Sequence, residues 1–440
     1  MVKYKCVLVP VLIFACTSPV LSAQLKPGDL IITHNDTATS GGRTYQLDPV
    51  TGKVTTLIDK QSPPNDTMLG NWVQMAPNNK EVWVAHQQST SRGGMVVISQ
   101  AGTLSTTVPL MWRADGFRIR DDGGITWSGY GGIFTNRLIW TDTNFGSQKT
   151  LVSGISSLSL SHQEIEDSGN VVASFQSTAP DGGVAELDPV GGVIIQTLKG
   201  LALTNTVDFH KRSGNIYAVE FAIPGQTTVW AGSLYEIDLA TRKITSLIDG
   251  TTAQGAAVDR LNWIECGRDN SLFLGARHRI FKYDLTSRSI VNTWLFEKER
   301  LQAITGATVY GSRPLLLDTS SGTRPGTTIH VNLGFPHTRA AGASYYLACS
   351  LGLRPGVQLG NDWLDLQFDI FFFISANNLA PAIFQDFQGI LDQNGDAEAA
   401  IAIPDMAMLD GLRFFCGGFA VIGGNNVVTN SEGFTIRKQR

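Results

Sequence analysis

The chain has 440 residues, a formal net charge of −4 and only 16% charged residues. That balance leaves no basic footprint for nucleic acid, and no stretch beyond the N-terminus is long and apolar enough for a transmembrane helix. The 46 glycines, with Thr, Ser, Val and Ile recurring throughout, favour short strands and tight turns over helices, so an all-β chain is expected.

Residues 1–23 start Met1-Val2-Lys3-Tyr4-Lys5, run apolar from Cys6 to Ala15 and end Val20-Leu21-Ser22-Ala23. A basic start, a short apolar stretch and a small-residue exit make a secretory signal peptide. Ile13-Phe14-Ala15-Cys16 loosely follows a lipobox, in which Cys16 would carry a lipid anchor. Phe14 departs from that pattern, so plain cleavage and a secreted or cell-surface protein are expected.

Two markers then alternate along the chain. One is a turn feeding a strand: Gly28-Asp29-Leu30-Ile31-Ile32, Asn79-Lys80-Glu81-Val82-Trp83, Gly123-Gly124-Ile125-Thr126-Trp127, Gly169-Asn170-Val171-Val172, Gly214-Asn215-Ile216-Tyr217 and Asn270-Ser271-Leu272-Phe273. The other is a hairpin, clearest at Leu47-Asp48-Pro49-Val50-Thr51-Gly52, Leu187-Asp188-Pro189-Val190-Gly191-Gly192, Ile237-Asp238-Leu239-Ala240-Thr241-Arg242 and Tyr283-Asp284-Leu285-Thr286-Ser287-Arg288. Weaker copies follow Val97 and Trp140, which makes six hairpins 43 to 51 residues apart. That period suits four short strands plus turns, the blade of a β-propeller. The first turn-strand marker has no strand before it, and Leu301–Tyr310 follows the last hairpin. Pairing the two would close a ring and remove exposed sheet edges.

Beyond the turn-rich stretch 313–324 the period is lost. Segments 327–333, 345–351, 364–374, 397–403 and 412–422 read as strands between Gly, Pro and Asn turns, which suggests an Ig-like sandwich. The predicted organisation is a signal peptide at 1–23, a six-bladed β-propeller at 24–312, a linker at 313–324 and a β-sandwich at 325–440. Cys349 and Cys416 each fall in a predicted strand, and an exported chain meets oxidising surroundings, so an inter-sheet disulfide is expected. Cys266 is left as a buried, inert thiol.

The phrases Pro325-Gly326-Thr327-Thr328-Ile329-His330-Val331, Tyr346-Leu347-Ala348-Cys349-Ser350 and Ile390-Leu391-Asp392-Gln393-Asn394-Gly395-Asp396 resemble a sandwich module at the C-termini of secreted bacterial proteins. Residues 40–300 are similar to extracellular bacterial propellers with YVTN or quinoprotein-like repeats and Asp-Pro-x-Thr-Gly turns. The resemblance implies export and a binding role, and its motifs are structural.

Quinoprotein dehydrogenases carry a recurrent Trp after this turn, whereas Val54-Thr55-Thr56-Leu57 follow the first one here. The turns are therefore hairpins in which Asp caps the loop and Gly takes a positive φ. Lactonase-type propellers hold a divalent metal in the channel on carboxylate and amide ligands from the innermost strands. Residues at comparable places are Asn71, Asp115, Asn205, Asp208, Asn262 and Glu265. Asp392–Glu398 alternates oxygen side chains as calcium loops do, but its Gly falls two places early, and Asn394-Gly395 reads as a type I′ hairpin turn. His162, His210, His278, His330 and His337 show no short ligand spacing. Trp112, Trp127, Trp230 and Trp263 would stack on sugar rings if exposed and pack between blades if not.

Two readings follow. The first is a non-enzymatic binding or surface-interaction protein, a monomer with no cofactor whose partner is an extracellular protein or glycan. The alternative is a metal-dependent, lactonase-like hydrolase using Ca2+ in the channel.

Overall fold

The computed structural model describes residues 24–437, apart from 37–40, 59–68, 77–78, 88–92, 111–115, 120–123, 129–136, 143–146, 154–158, 166–168, 177–181, 202–203, 211–212, 221–231, 253–257, 259–260, 268–269, 278, 297–302, 320–321, 337–338 and 361. The predicted signal peptide with Cys16, and Trp112, Asp115, Trp230, His278 and His337, lie outside the described residues.

Apolar residues alternate with polar ones in runs of four to seven residues, and these form antiparallel strands. Among the described residues, five sheets of four strands each take consecutive strands from 69–110, 116–152, 159–199, 204–248 and 263–295. A further four-stranded sheet comes from both ends of the repeat region. Its strands Leu30–Asp36, Gly41–Leu47 and Val54–Ile58 are completed by Ala303–Val309, which pairs with Leu30–Asp36 from Leu30 opposite Val309 to Asn35 opposite Ala303. Thr33 Oγ1 donates to Gly306 O at 3.1 Å across that seam. The predicted closing strand therefore pairs where the sequence placed it.

The six inner strands touch one another in cyclic order: Leu69–Met75, Gly116–Ile119, Ser159–Ile165, Thr204–His210, Trp263–Cys266 and Ala303–Val309, which returns to the first. The arrangement is propeller-like. Between neighbouring sheets lie apolar clusters, one of which holds Trp72, Phe117, Trp127 and Trp263. Trp127 and Trp263 are wholly buried, so the sugar-stacking role considered for them gives way to packing.

The hairpin turns behave as their composition requires. Asp48 Oδ1 accepts from the Val50 and Thr51 amides at 2.9 and 3.2 Å, and Gly52 takes φ 72°. Asp188 and Asp238 repeat the pattern, but Arg242 and Arg288 hold the left-handed position at φ 57° and 52°.

After the repeats, two antiparallel sheets share one apolar core that includes Leu315, Val331, Tyr345, Ile401, Phe414 and Phe434. Three expectations are corrected here. Leu315–Asp318, read as part of the linker, is a strand of the first of these sheets. The segment 364–374, read as one strand, splits into a short strand, Asp362–Leu364, and a helix, Ile370–Ala376. Asp369 caps that helix by accepting from the Phe372 amide at 2.9 Å, a local signal that outweighs the β propensity of its phenylalanines. Finally, Asn394-Gly395 joins strands of different sheets rather than a hairpin, with only Gly395 at positive φ.

Cys349 and Cys416 are directly opposite one another in neighbouring strands of one sheet, both buried and both free thiols. The expected inter-sheet bridge is thus corrected to a cross-strand pair. Both strands belong to the same sheet, so their side chains meet along it and not across the core.

The turn Asn79-Lys80 fastens the repeat region to the C-terminal sheets. Asn79 Nδ2 donates to Gly334 O, the Arg313 amide donates to Asn79 Oδ1, both at 2.8 Å, and Lys80 Nζ meets Asp396 at 2.6 Å. The oxygen-rich run at 392–398 thus serves a contact within the chain.

Candidate functional site

At one end of the ring the inner strands face the C-terminal sheets across a cavity of about 530 Å³. Gln74, Arg118, Glu164, Asp208, Glu265 and Thr308, one from each inner strand, line one wall. The period of two along each strand aims these side chains inward while their apolar neighbours, such as Phe117 and Val207, go to the core. The facing wall includes Leu353, Arg413, Phe415 and Glu432.

Arg118 organises the site and is 4% exposed. Its Nε meets Glu164 Oε2 at 2.5 Å and donates to Gln163 O at 3.2 Å. Nη2 lies 3.6 Å from Asp208 Oδ1 and 3.9 Å from Glu265 Oε2. The guanidinium also sits 5.4 Å from the centre of the Trp72 ring, so this one side chain touches inner strands of four other sheets. His162 packs against Trp72, with ring centres 4.0 Å apart and planes tilted by 39°. The Val207 amide donates to its Nδ1 at 3.2 Å, which leaves the proton of the neutral ring on Nε2. Burial and the nearby Arg118 charge hold His162 well below the ordinary histidine range, so it stays neutral.

Three carboxyls share one guanidinium, and burial dominates their titration. It pushes Glu164 up to about 8, against the pull of Arg118 and with the help of Asp208. Glu265 rises to about 7, again by burial against Arg118. Asp208 is raised by burial and by the charge of Glu265, while Arg118 and a hydrogen bond from Glu164 pull it back. Glu164 therefore holds its proton at neutral pH and donates it to Asp208, which also accepts from the Cys266 amide. Burial first, then Asp208, raises the Cys266 thiol well above its usual range.

Of the residues singled out in the sequence, the structure brings Asp208 and Glu265 together. Asn262 lies just before the same strand as Glu265 and its Nδ2 donates to Ile304 O at 2.8 Å. Asn71 and Asn205 are on inner strands, but their side chains, like Asp115, lie outside the described residues. The metal assignment does not fit at Asp208 and Glu265. A divalent cation there would face the guanidinium that already pairs with both, a like-charge contact in a buried site. Among the described residues, no group of three or more His, Cys, Asp or Glu could hold a metal ion.

Arg118 and Glu164 were missed. For Arg118 the signal is a charged residue among apolar ones, in Gly116-Phe117-Arg118-Ile119, whereas Glu164 falls in the polar run His162-Gln163-Glu164 and stands out only once its strand is placed innermost. Such a charge needs a partner once the strand is buried.

No family model matches the chain, and no curated protein matches it. Among solved structures, it is similar to a protein assigned as a gluconolactonase, at 14% identity and a TM-score of 0.40, covering 59% of this chain and 84% of that one. It is likewise similar to a GH74 enzyme of Niastella koreensis, at 10% identity and a TM-score of 0.40, covering 71% of this chain and 58% of that one. Likenesses this distant say nothing about the chemistry of the cavity. No helix among the described residues is long and apolar enough to cross a membrane.

Proposed function

We propose that the chain is an exported hydrolase that works by proton transfer at one mouth of a six-bladed β-propeller, with an Ig-like sandwich covering that mouth. The blade count is supported by the six four-stranded sheets, their shared first sheet and the cyclic contact of their inner strands. The sandwich is supported by the core common to the two C-terminal sheets. Export rests on the composition of residues 1–23.

The observation that carries the catalytic reading is the pair of glutamates held at about 8 and about 7 on either side of Arg118, in the wall of an open cavity. Near neutral pH one is protonated and the other is ready to ionise, the division of labour that acid–base catalysis requires. Glu164, turning its proton from Asp208 to the substrate, would protonate a leaving group, Glu265 would take a proton from water, and Arg118 would stabilise negative charge developing on oxygen. Asp208 positions Glu164.

The test is a pH–rate profile over lactone, ester and glycoside substrates. Turnover should be bell-shaped, with limbs near 7 and 8, and Glu265→Gln should lower kcat by about 100-fold or more. No turnover with any substrate class, or a profile that Glu265→Gln leaves unchanged, would sink the reading.

The binding-protein reading keeps one specific observation. Phe368, Ile370 and Phe373 are exposed at 67%, 61% and 47% around the C-terminal helix, a surface suited to a protein partner.

A further inference from the structure

We infer that the cavity takes a neutral, polyhydroxylated ligand of the sugar class, one hydroxyl of which bridges Arg118 and Glu265. The inference deepens the hydrolase reading by naming the substrate class of the same cavity, and its geometric basis is separate from the glutamates' titration.

The polar groups of the wall are unequal in how well they are satisfied. Asp208 accepts the Cys266 amide, and Arg118 Nε is bound by Glu164 Oε2 and Gln163 O. Arg118 Nη2 and Glu265 Oε2, by contrast, make no hydrogen bond, and they are neighbours, 3.9 Å apart. That separation is too long for a direct hydrogen bond. It is also short enough for one oxygen atom to reach both at ordinary hydrogen-bond length.

The chemistry of that atom is constrained from both sides. It must accept a proton from the guanidinium and offer one to the carboxylate. A ligand carboxylate or phosphate satisfies Arg118 but meets the negative charge of Glu265. An ammonium satisfies Glu265 but meets Arg118. A hydroxyl does both without bringing charge. In this conformation the two atoms are closed off from solvent. The Glu265 side chain is 17% exposed to the cavity, so a small outward swing admits the oxygen.

The rest of the cavity agrees with this class. Phe273 offers an aromatic wall, and Thr308, Asn430 and Ser431 bring neutral hydrogen-bonding groups to the same space. Its volume of about 530 Å³ lies in the range that encloses a ligand of several rings or fewer. The lining brings Arg118, Arg313 and Arg413 to the same space as Glu164, Asp208, Glu265 and further acids, so a charged ligand of either sign meets like charge.

Calorimetric titration of the full-length mature protein at pH 7 tests this, with cellobiose, maltose and lactose as neutral probes. The charged counterparts are a disaccharide uronate and a glucosamine disaccharide. At least one neutral disaccharide should bind, about tenfold or more tighter than either charged counterpart. Glu265→Ala should weaken it by about tenfold, while Glu265→Gln, which can still pair with a hydroxyl, should lose less.

Because the comparison among probes uses the unaltered protein, it stands even if a variant fails to fold. Tighter binding of a charged probe, unchanged affinity in folded Glu265→Ala, or no binding of any neutral disaccharide up to its solubility would each overturn the inference. Turnover of a lactone or ester that neutral sugars do not inhibit would overturn it and leave the hydrolase reading intact. Sugar binding without turnover of any substrate would do the reverse.

Discussion

Single residues carry opposite electrostatic loads in this molecule, and the sign of each is readable in its pH dependence. Glu164 and Glu265 bind protons more tightly folded, at about 8 and about 7, than the ordinary 4.5 of an unfolded chain. Folding is therefore stabilised by their protons below about 4.5, and that contribution is lost as pH rises towards 8. His162 is depressed, so the folded state gains stability as pH rises to 6.5 and nothing from it thereafter. The two effects oppose each other below 6.5, and above it the raised carboxyls, Glu164 and Glu265 with Asp208, act in one direction. Urea midpoints should thus fall from pH 6.5 to 8, and Glu164→Gln, which cannot ionise, should flatten that fall. A midpoint rising over the same window would contradict the assignment.

A second residue-scale expectation concerns the turns. Arg288 is 63% exposed on its side chain and holds φ 52°, a conformation that costs a residue with a Cβ about 1 kcal/mol. Arg288→Gly should raise stability by about that amount in denaturant titration. The same substitution in a helix or strand would do the opposite.

Among elements, strands with alternating polarity and Asp-led turns are legible in the sequence, because both signals act over a few residues. The helix at Ile370–Ala376 was not, because a run of apolar and aromatic residues suits either a strand or a short helix, and the Asp369 cap decided between them. The cysteine strands were legible too, but not which faces meet. That depends on register, which sets Cys349 opposite Cys416. Directly opposed residues lie at a spacing a disulfide can span without backbone movement. In a chain starting at residue 24, oxidised glutathione should reduce the thiols alkylated under denaturing conditions from the three of the structure to Cys266 alone. Retention of all three would show that the pair resists oxidation.

The whole molecule depends on a seam formed by residues far apart in sequence. Leu30–Asp36 gains its inner partner only when Ala303–Val309 returns to it, and the Arg118 cluster is completed only when the sheets meet in order. A chain shortened to residue 300 should therefore expose the edge of its first sheet and aggregate, visible as loss of a monomer peak on size exclusion. Persistence of a folded monomer would show that the seam is dispensable. What the sequence determined by itself was local: the strands, the turns, their period and the strand left over at the end, since each follows from side-chain alternation and backbone preference within a few residues. The tertiary structure alone decided the site. Glu164, Asp208 and Glu265 lie 46, 90 and 147 residues beyond Arg118 along the chain and come within 4 Å of its guanidinium because the ring aims one side chain from each inner strand at a common axis. The repeat places Asp208 and Glu265 on inner strands, but which charges meet there is set only by that convergence, and burial at that axis, more than residue type, gives the carboxyls their altered chemistry.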